Sequence, residues 1–167
     1  MKSVLLLSIV AIMLLAVPAP ATAQAHQDYS GRWALSQSKS TPGAAGNGAT
    51  ISFGSELLVA QSPTELKVES RFPRVEQIQI AVFRFDGSEV TLPLSEGVVE
   101  KAKAAWEGDT VVITARRVVS TQFGEFVSET KETWSRTGNL LTIRKTLTAD
   151  SVTDSQTAVF DESKTSR

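Results

Sequence analysis

The stretch EKAKAAWEGDTVVITARR, residues 100–117, decides the fold. Its first seven residues, with Glu100, Lys101 and Lys103 among alanines, have the propensity of a short helix. The residues after Trp106 argue otherwise. Glu107-Gly108-Asp109 is a turn, and Thr110 to Arg117 is a β-branched run, which asks for an antiparallel partner just before the turn. Residues 100–106 are therefore read as a strand, and the pair as a hairpin.

The same rhythm extends in both directions. Upstream, Leu57–Gln61 and Glu65–Ser70 flank Ser62-Pro63-Thr64, with Leu66 and Val68 on one face and charges on the other. Val75 to Phe85 alternates again, Ile78, Ile80 and Val82 on one face and Gln77, Gln79, Ala81 and Phe83 on the other. Asp86-Gly87-Ser88-Glu89 then turns the chain into Val90-Thr91-Leu92. Downstream come Glu125–Trp134, the turn Ser135–Gly138, Asn139–Thr148 and Thr157–Asp161. With a first strand near Gly31 this makes about ten strands, which predicts an all-β, single antiparallel up-and-down barrel of about 8–10 strands. Closure is favoured over a sandwich because it removes sheet edges. Trp106 and Trp134 each precede a Gly-containing turn and an apolar strand, an echo that marks recurrent hairpins.

The N-terminus has a different character. Lys2 precedes an apolar run, Val4–Val17, and Pro18 to Ala23 supplies the small residues a signal peptidase reads. The run is shorter than the roughly 20 residues of a spanning helix. Residues 1–23 are read as a cleaved secretory signal peptide, with a second acceptable cleavage site after Ala25, and residues 24–167 as one barrel domain that is periplasmic or secreted, with no membrane anchor. Within it the Ser/Gly/Ala-rich stretch 36–49 reads as a flexible loop and 162–167 as a disordered tail.

Composition narrows the chemistry. The chain has no cysteine, hence no disulfides, and His26 is its only histidine, placed at the expected mature terminus where disorder is the expectation. Histidine-activated nucleophiles and His/Cys metal sites are thereby disfavoured, and no metal or other cofactor is expected. Lys2 leaves with the signal, so sixteen basic residues face eighteen acidic ones, 16 − 18 = −2, which gives no electrostatic reason to expect nucleic acid. Neither Asn47 nor Asn139 lies in a glycosylation sequon. Carboxylates such as Glu96, Glu100, Glu125, Glu129, Glu132, Asp109 and Asp161 leave room only for paired-carboxylate catalysis. The chain is not expected to be an enzyme.

Tyr29-Ser30-Gly31-Arg32-Trp33-Ala34-Leu35 carries a G-x-W pattern straight after the signal segment. This resembles the opening strand of lipocalin-like (calycin) barrels, as seen in small exported bacterial proteins of that kind. The resemblance implies structural roles for Gly31, which lets the strand bend, and Trp33, which plugs the barrel's closed end. It also implies a late arginine packed across that tryptophan, for which Arg144 is the candidate. A barrel of this size encloses a side-chain core or room for one small ligand. Trp106, Trp134, Phe83, Phe85 and Phe126 are the aromatic candidates to line such a cavity. Arg116 and Arg117 are adjacent on a strand, so one of them points inward, where it needs a carboxylate such as Glu129 or an anionic ligand. Arg116 is taken as the ligand-facing one. Three functions stay open: a carrier of a small, largely apolar molecule, a filled-core interaction module of the cell envelope, and a carboxylate-based enzyme.

Overall fold

The computed structural model describes residues 26–41, 51–72, 78–95 and 98–163. The signal segment and its cleavage sites therefore lie outside the described residues, as do most of the Gly/Ala-rich loop and the last four residues. Ten strands succeed one another: β1 Gly31–Leu35, β2 Glu56–Gln61, β3 Glu65–Arg71, β4 Ile78–Arg84, β5 Val90–Ser95, β6 Val98–Glu107, β7 Thr110–Thr121, β8 Gly124–Thr137, β9 Leu140–Ala149 and β10 Val152–Glu162. Residues 98–107 are a strand, so the turn and its partner override the helical propensity of the alanine-lysine run. Among the described residues the only helical element is a single 3-10 turn, Gln37–Lys39.

The sheet order is β4-β3-β2-β1-β10-β9-β8-β7-β6-β5, an antiparallel meander whose ends are joined through β1 and β10. Leu35 lies opposite Phe160 across that junction, and Trp33 opposite Leu57 on the other side of β1. β4 and β5 are the two edges, with no ladder between them. Although Asp86-Gly87 does turn the chain, the strands it joins splay instead of forming a hairpin. The result is a nearly closed barrel with one seam.

Alternation assigns the interior. Trp33, Leu57, Val59, Leu66, Val68, Val111, Ile113, Trp134, Leu141, Ile143 and Phe160 form one buried cluster. Fully burying each large apolar side chain contributes roughly 1.5–3 kcal/mol. β4 is the exception to intuition: Ala81 and Phe83 face inward, while Ile78, Ile80 and Val82 are exposed on the outside. Two aromatic rings on the other face, Phe83 and Phe85, outweigh three aliphatic ones in the choice of side.

The first residues of the expected loop are pinned. Ser36 and Thr41 donate backbone bonds to Val159 and Thr157, Ser40 Oγ accepts from Val159 N, and Lys39 reaches Asp161 Oδ1 at 2.6 Å. Likewise β10 runs to Glu162, and Ser163 N donates to Arg32 O, so the chain remains paired into the expected tail. β10 also begins at Val152, five residues earlier than its sequence suggests, through a two-residue turn whose Asp150 and Ser151 both have positive φ (47° and 69°). That is the conformation a tight hairpin requires.

Candidate functional site

The closed end of the barrel is built on β1. Gly31 has φ +146°, a conformation L side chains rarely adopt, and this bend turns the N-terminal segment back over the barrel. Trp33 is fully buried, and its Nε1 donates to Tyr29 O at 3.0 Å. Tyr29 is equally buried, and its hydroxyl lies 2.8 Å from Trp134 O and 3.0 Å from Asp109 O, tying the N-terminus to two later hairpins. Burial pushes the Tyr29 phenol up to about 12. Above Trp33, the Arg136 guanidinium sits 4.9 Å from the ring centroid. Its Nε and NH1 donate to Gly138 O and Asp28 O at 2.9 and 2.8 Å, and NH2 reaches Glu162 Oε2 at 3.2 Å.

Arg136 therefore fills the role for which Arg144 was the sequence candidate. Arg144 lies opposite Thr133 and is exposed on the outer face. His26 is placed as well: its ring stacks on Trp106 at 4.2 Å with 7° between the planes, and Trp106 in turn meets Phe85 at 4.9 Å. Against the expected disorder, the only histidine is held, still exposed, against Trp106 beside the aromatic plug.

Between this plug and the opposite rim lies a cavity of about 160 Å³. Phe53, Leu57, Val68, Phe72, Ala81, Phe83, Leu92, Trp134, Ile143 and Phe160 form its apolar wall. Several of these belong to β4, β5 and their neighbours, which puts the cavity behind the seam. Its polar wall consists of Ser52, Ser70, Gln79 and two ion pairs. Arg117 Nε bonds Glu100 Oε2 at 2.6 Å, with Glu100 nearly buried and the Arg117 side chain 43% exposed. Lys145 Nζ lies 2.9 Å from Glu132 Oε1, while Trp134 Nε1 donates to Glu132 Oε2 at 3.0 Å, so both oxygens of that carboxylate are engaged.

Of the aromatic candidates, Phe83 and Trp134 line the cavity. Trp106 and Phe85 pack against the core from the plug. Phe126 has the inward parity of β8 but lies near the β7–β8 tip and is 52% exposed. The arginine is shifted by one. Arg117 faces inward and pairs with Glu100 on β6, while Arg116 is exposed beside Glu129 on the outer face. Arg116 instead lines an open outer trough of about 370 Å³ with Lys101, Lys103 and Lys131. Glu100, Glu132 and Lys145 do not stand out in the sequence as a ligand-facing group. The signal that finds them is register: Glu100 lies opposite Arg117 and Glu132 opposite Lys145.

Fold and interior together define a lipocalin-like up-and-down β-barrel. No protein-family profile and no curated protein matches the chain. Among solved structures it is similar to a secretory abundant heat soluble (SAHS) protein from Ramazzottius varieornatus, at 14% identity and TM-score 0.51 over 81% of this chain and 95% of that one. It is also matched to secretory abundant heat soluble protein 4 of the same organism, at 22% identity and TM-score 0.47 over 65% of this chain and 69% of that one. The first likeness bears on the fold alone. Among the described residues no helix is long and apolar enough to cross a membrane.

Proposed function

We propose that this barrel is an exported, non-enzymatic carrier that binds a small, largely apolar molecule in its interior. The observation that carries this reading is the cavity behind the β4/β5 seam, walled on one side by Phe83, Trp134 and other apolar side chains and on the other by the two ion pairs, serines and Gln79. Concave sites that combine apolar walls with placed polar groups are the usual form of small-molecule sites, and this one is smaller and more polar than most. At about 160 Å³ the space suits one ring or a short chain, since an engineered cavity of about 150 Å³ takes up benzene. The missing ladder between β4 and β5 supplies an entry that needs no broken backbone bonds. Residues 1–23 direct the chain out of the cytoplasm in this reading. To test it, the secreted form is purified under native conditions and titrated with a panel of small aromatic and aliphatic compounds, following tryptophan fluorescence. Saturable quenching by at least one compound is expected, because Trp134 borders the cavity. No response across the panel, together with a clean unliganded mass by native mass spectrometry, argues against a carrier.

One observation favours a second reading, an interaction module. Ile78, Ile80 and Val82 are 46%, 49% and 39% exposed on an edge strand, and such edges invite pairing. Under this reading Ile80→Lys abolishes capture of a partner while leaving interior binding intact.

A further inference from the structure

We infer that the interior selects an uncharged ligand with one hydrogen-bonding end, an alcohol, ketone, ester or amide on a small apolar body, and excludes the corresponding carboxylate. This rests on the carrier reading above and adds to it the chemistry of the ligand's polar end.

The charges lining the cavity are two cations, Arg117 and Lys145, and two anions, Glu100 and Glu132, a balance of 2 − 2 = 0. Neither cation waits for an anionic guest, because each already holds a carboxylate, at 2.6 and 2.9 Å. A ligand carboxylate entering this space meets Glu100 and Glu132 as a third anion, in surroundings where Coulomb repulsion is less screened than in bulk water. It either stays as a third, unbalanced negative charge beside Arg117 or displaces one of them, which leaves that glutamate unpaired. A neutral oxygen meets no such penalty. The Glu100 bond uses one of the five N–H donors of Arg117, the side chain remains 43% exposed, and it is among those that line the cavity. A carbonyl or hydroxyl oxygen can accept there without disturbing either pair, while the rest of the ligand packs against Phe83 and Leu92 on the seam side.

The test is isothermal titration calorimetry of the secreted form with matched pairs that differ only in the polar end: benzyl alcohol against benzoate, and cyclohexylmethanol against cyclohexanecarboxylate. The wild type is expected to bind the alcohols at least about thirtyfold tighter than the carboxylates, with the gap narrowing in high salt. Glu100→Gln, which frees Arg117 and leaves a net positive interior, is expected to shift the ratio of carboxylate to alcohol affinity at least about tenfold toward the carboxylates. Glu132→Gln is the second variant, in case Glu100→Gln does not fold, and shifts the preference in the same direction. Carboxylates that bind the wild type as tightly as the alcohols overturn this inference while leaving the carrier reading standing. So does a preference that survives in a folded Glu→Gln variant. Failure of all four compounds to bind the wild type overturns both.

Discussion

Replacing Arg136 by alanine tests whether the closed end is held together by the arginine over Trp33. The side chain is 19% exposed, and it contributes a cation–π contact at 4.9 Å, bonds to Gly138 O and Asp28 O at 2.9 and 2.8 Å, and an ion pair with Glu162 at 3.2 Å. The ring contact is worth about 0.5–1 kcal/mol, each carbonyl bond about 1 kcal/mol net and the partly exposed ion pair about 0.5 kcal/mol. Arg136→Ala should therefore cost about 3 kcal/mol in urea unfolding monitored by tryptophan fluorescence. For a domain of this size that lowers Tm by roughly 8–12 °C. Arg136→Lys keeps the charge but loses the planar fork, and should recover only about half of the loss. Arg144→Ala, on the outer face, should stay within about 0.5 kcal/mol of wild type. An Arg136→Ala loss below about 1 kcal/mol, or one no larger than that of Arg144→Ala, would refute this account of the closed end.

Tyr29 is the only tyrosine in the chain, so tyrosinate absorbance reports it alone, and it should titrate near 12 in the folded protein. Because burial raises the folded value above the unfolded value of about 10, the unfolded state deprotonates first and stability falls as pH rises from about 10 through 12. Tyr29→Phe should lose about 1–2 kcal/mol at neutral pH and lack this added alkaline slope; equal slopes in the two proteins would contradict the assignment. Gly31→Ala should cost about 1–3 kcal/mol through backbone strain at φ +146°, since the new Cβ meets only ordinary contacts at 3.5 Å or more. Phe126→Ser should change stability by less than about 0.5 kcal/mol and leave ligand binding untouched, whereas Phe83→Ala in the wall should cost about 3–5 kcal/mol.

Strand count and meander order were legible because turn residues punctuate period-two stretches, and that punctuation survives even where propensity points to helix, as at residues 100–106. Phase was less legible. Val111-Val112-Ile113 is buried on both faces, so alternation along β7 does not say whether Arg116 or Arg117 turns inward. Only the opposition of Glu100 to Arg117 does, and cross-strand register is not written in either strand alone. Arg136 was hidden by a boundary: Ser135–Gly138 reads as a turn, yet β8 continues through Thr137, which places Trp134 and Arg136 on one face. The burial of Tyr29 and the stacking of the exposed His26 were hidden by their nearness to the terminus, since both depend on contacts with hairpins 80 or more residues away. Phe126 illustrates the opposite error, since inward parity does not bury a residue near the tip of a hairpin as long as β7–β8.

The central claim is that the space behind the β4/β5 seam receives a ligand, and the most direct test fills that space. Ala81 borders the cavity from β4. Native mass spectrometry of the protein from residue 24 onward, wild type beside Ala81→Phe, compares what each retains and takes up from the aromatic panel. The account predicts a stoichiometric small molecule on the wild type, none on a variant whose circular dichroism and Tm show it folded, and a loss of affinity of at least about a hundredfold. Equal loading of a folded Ala81→Phe, or binding that leaves Trp134 fluorescence unchanged, would contradict it.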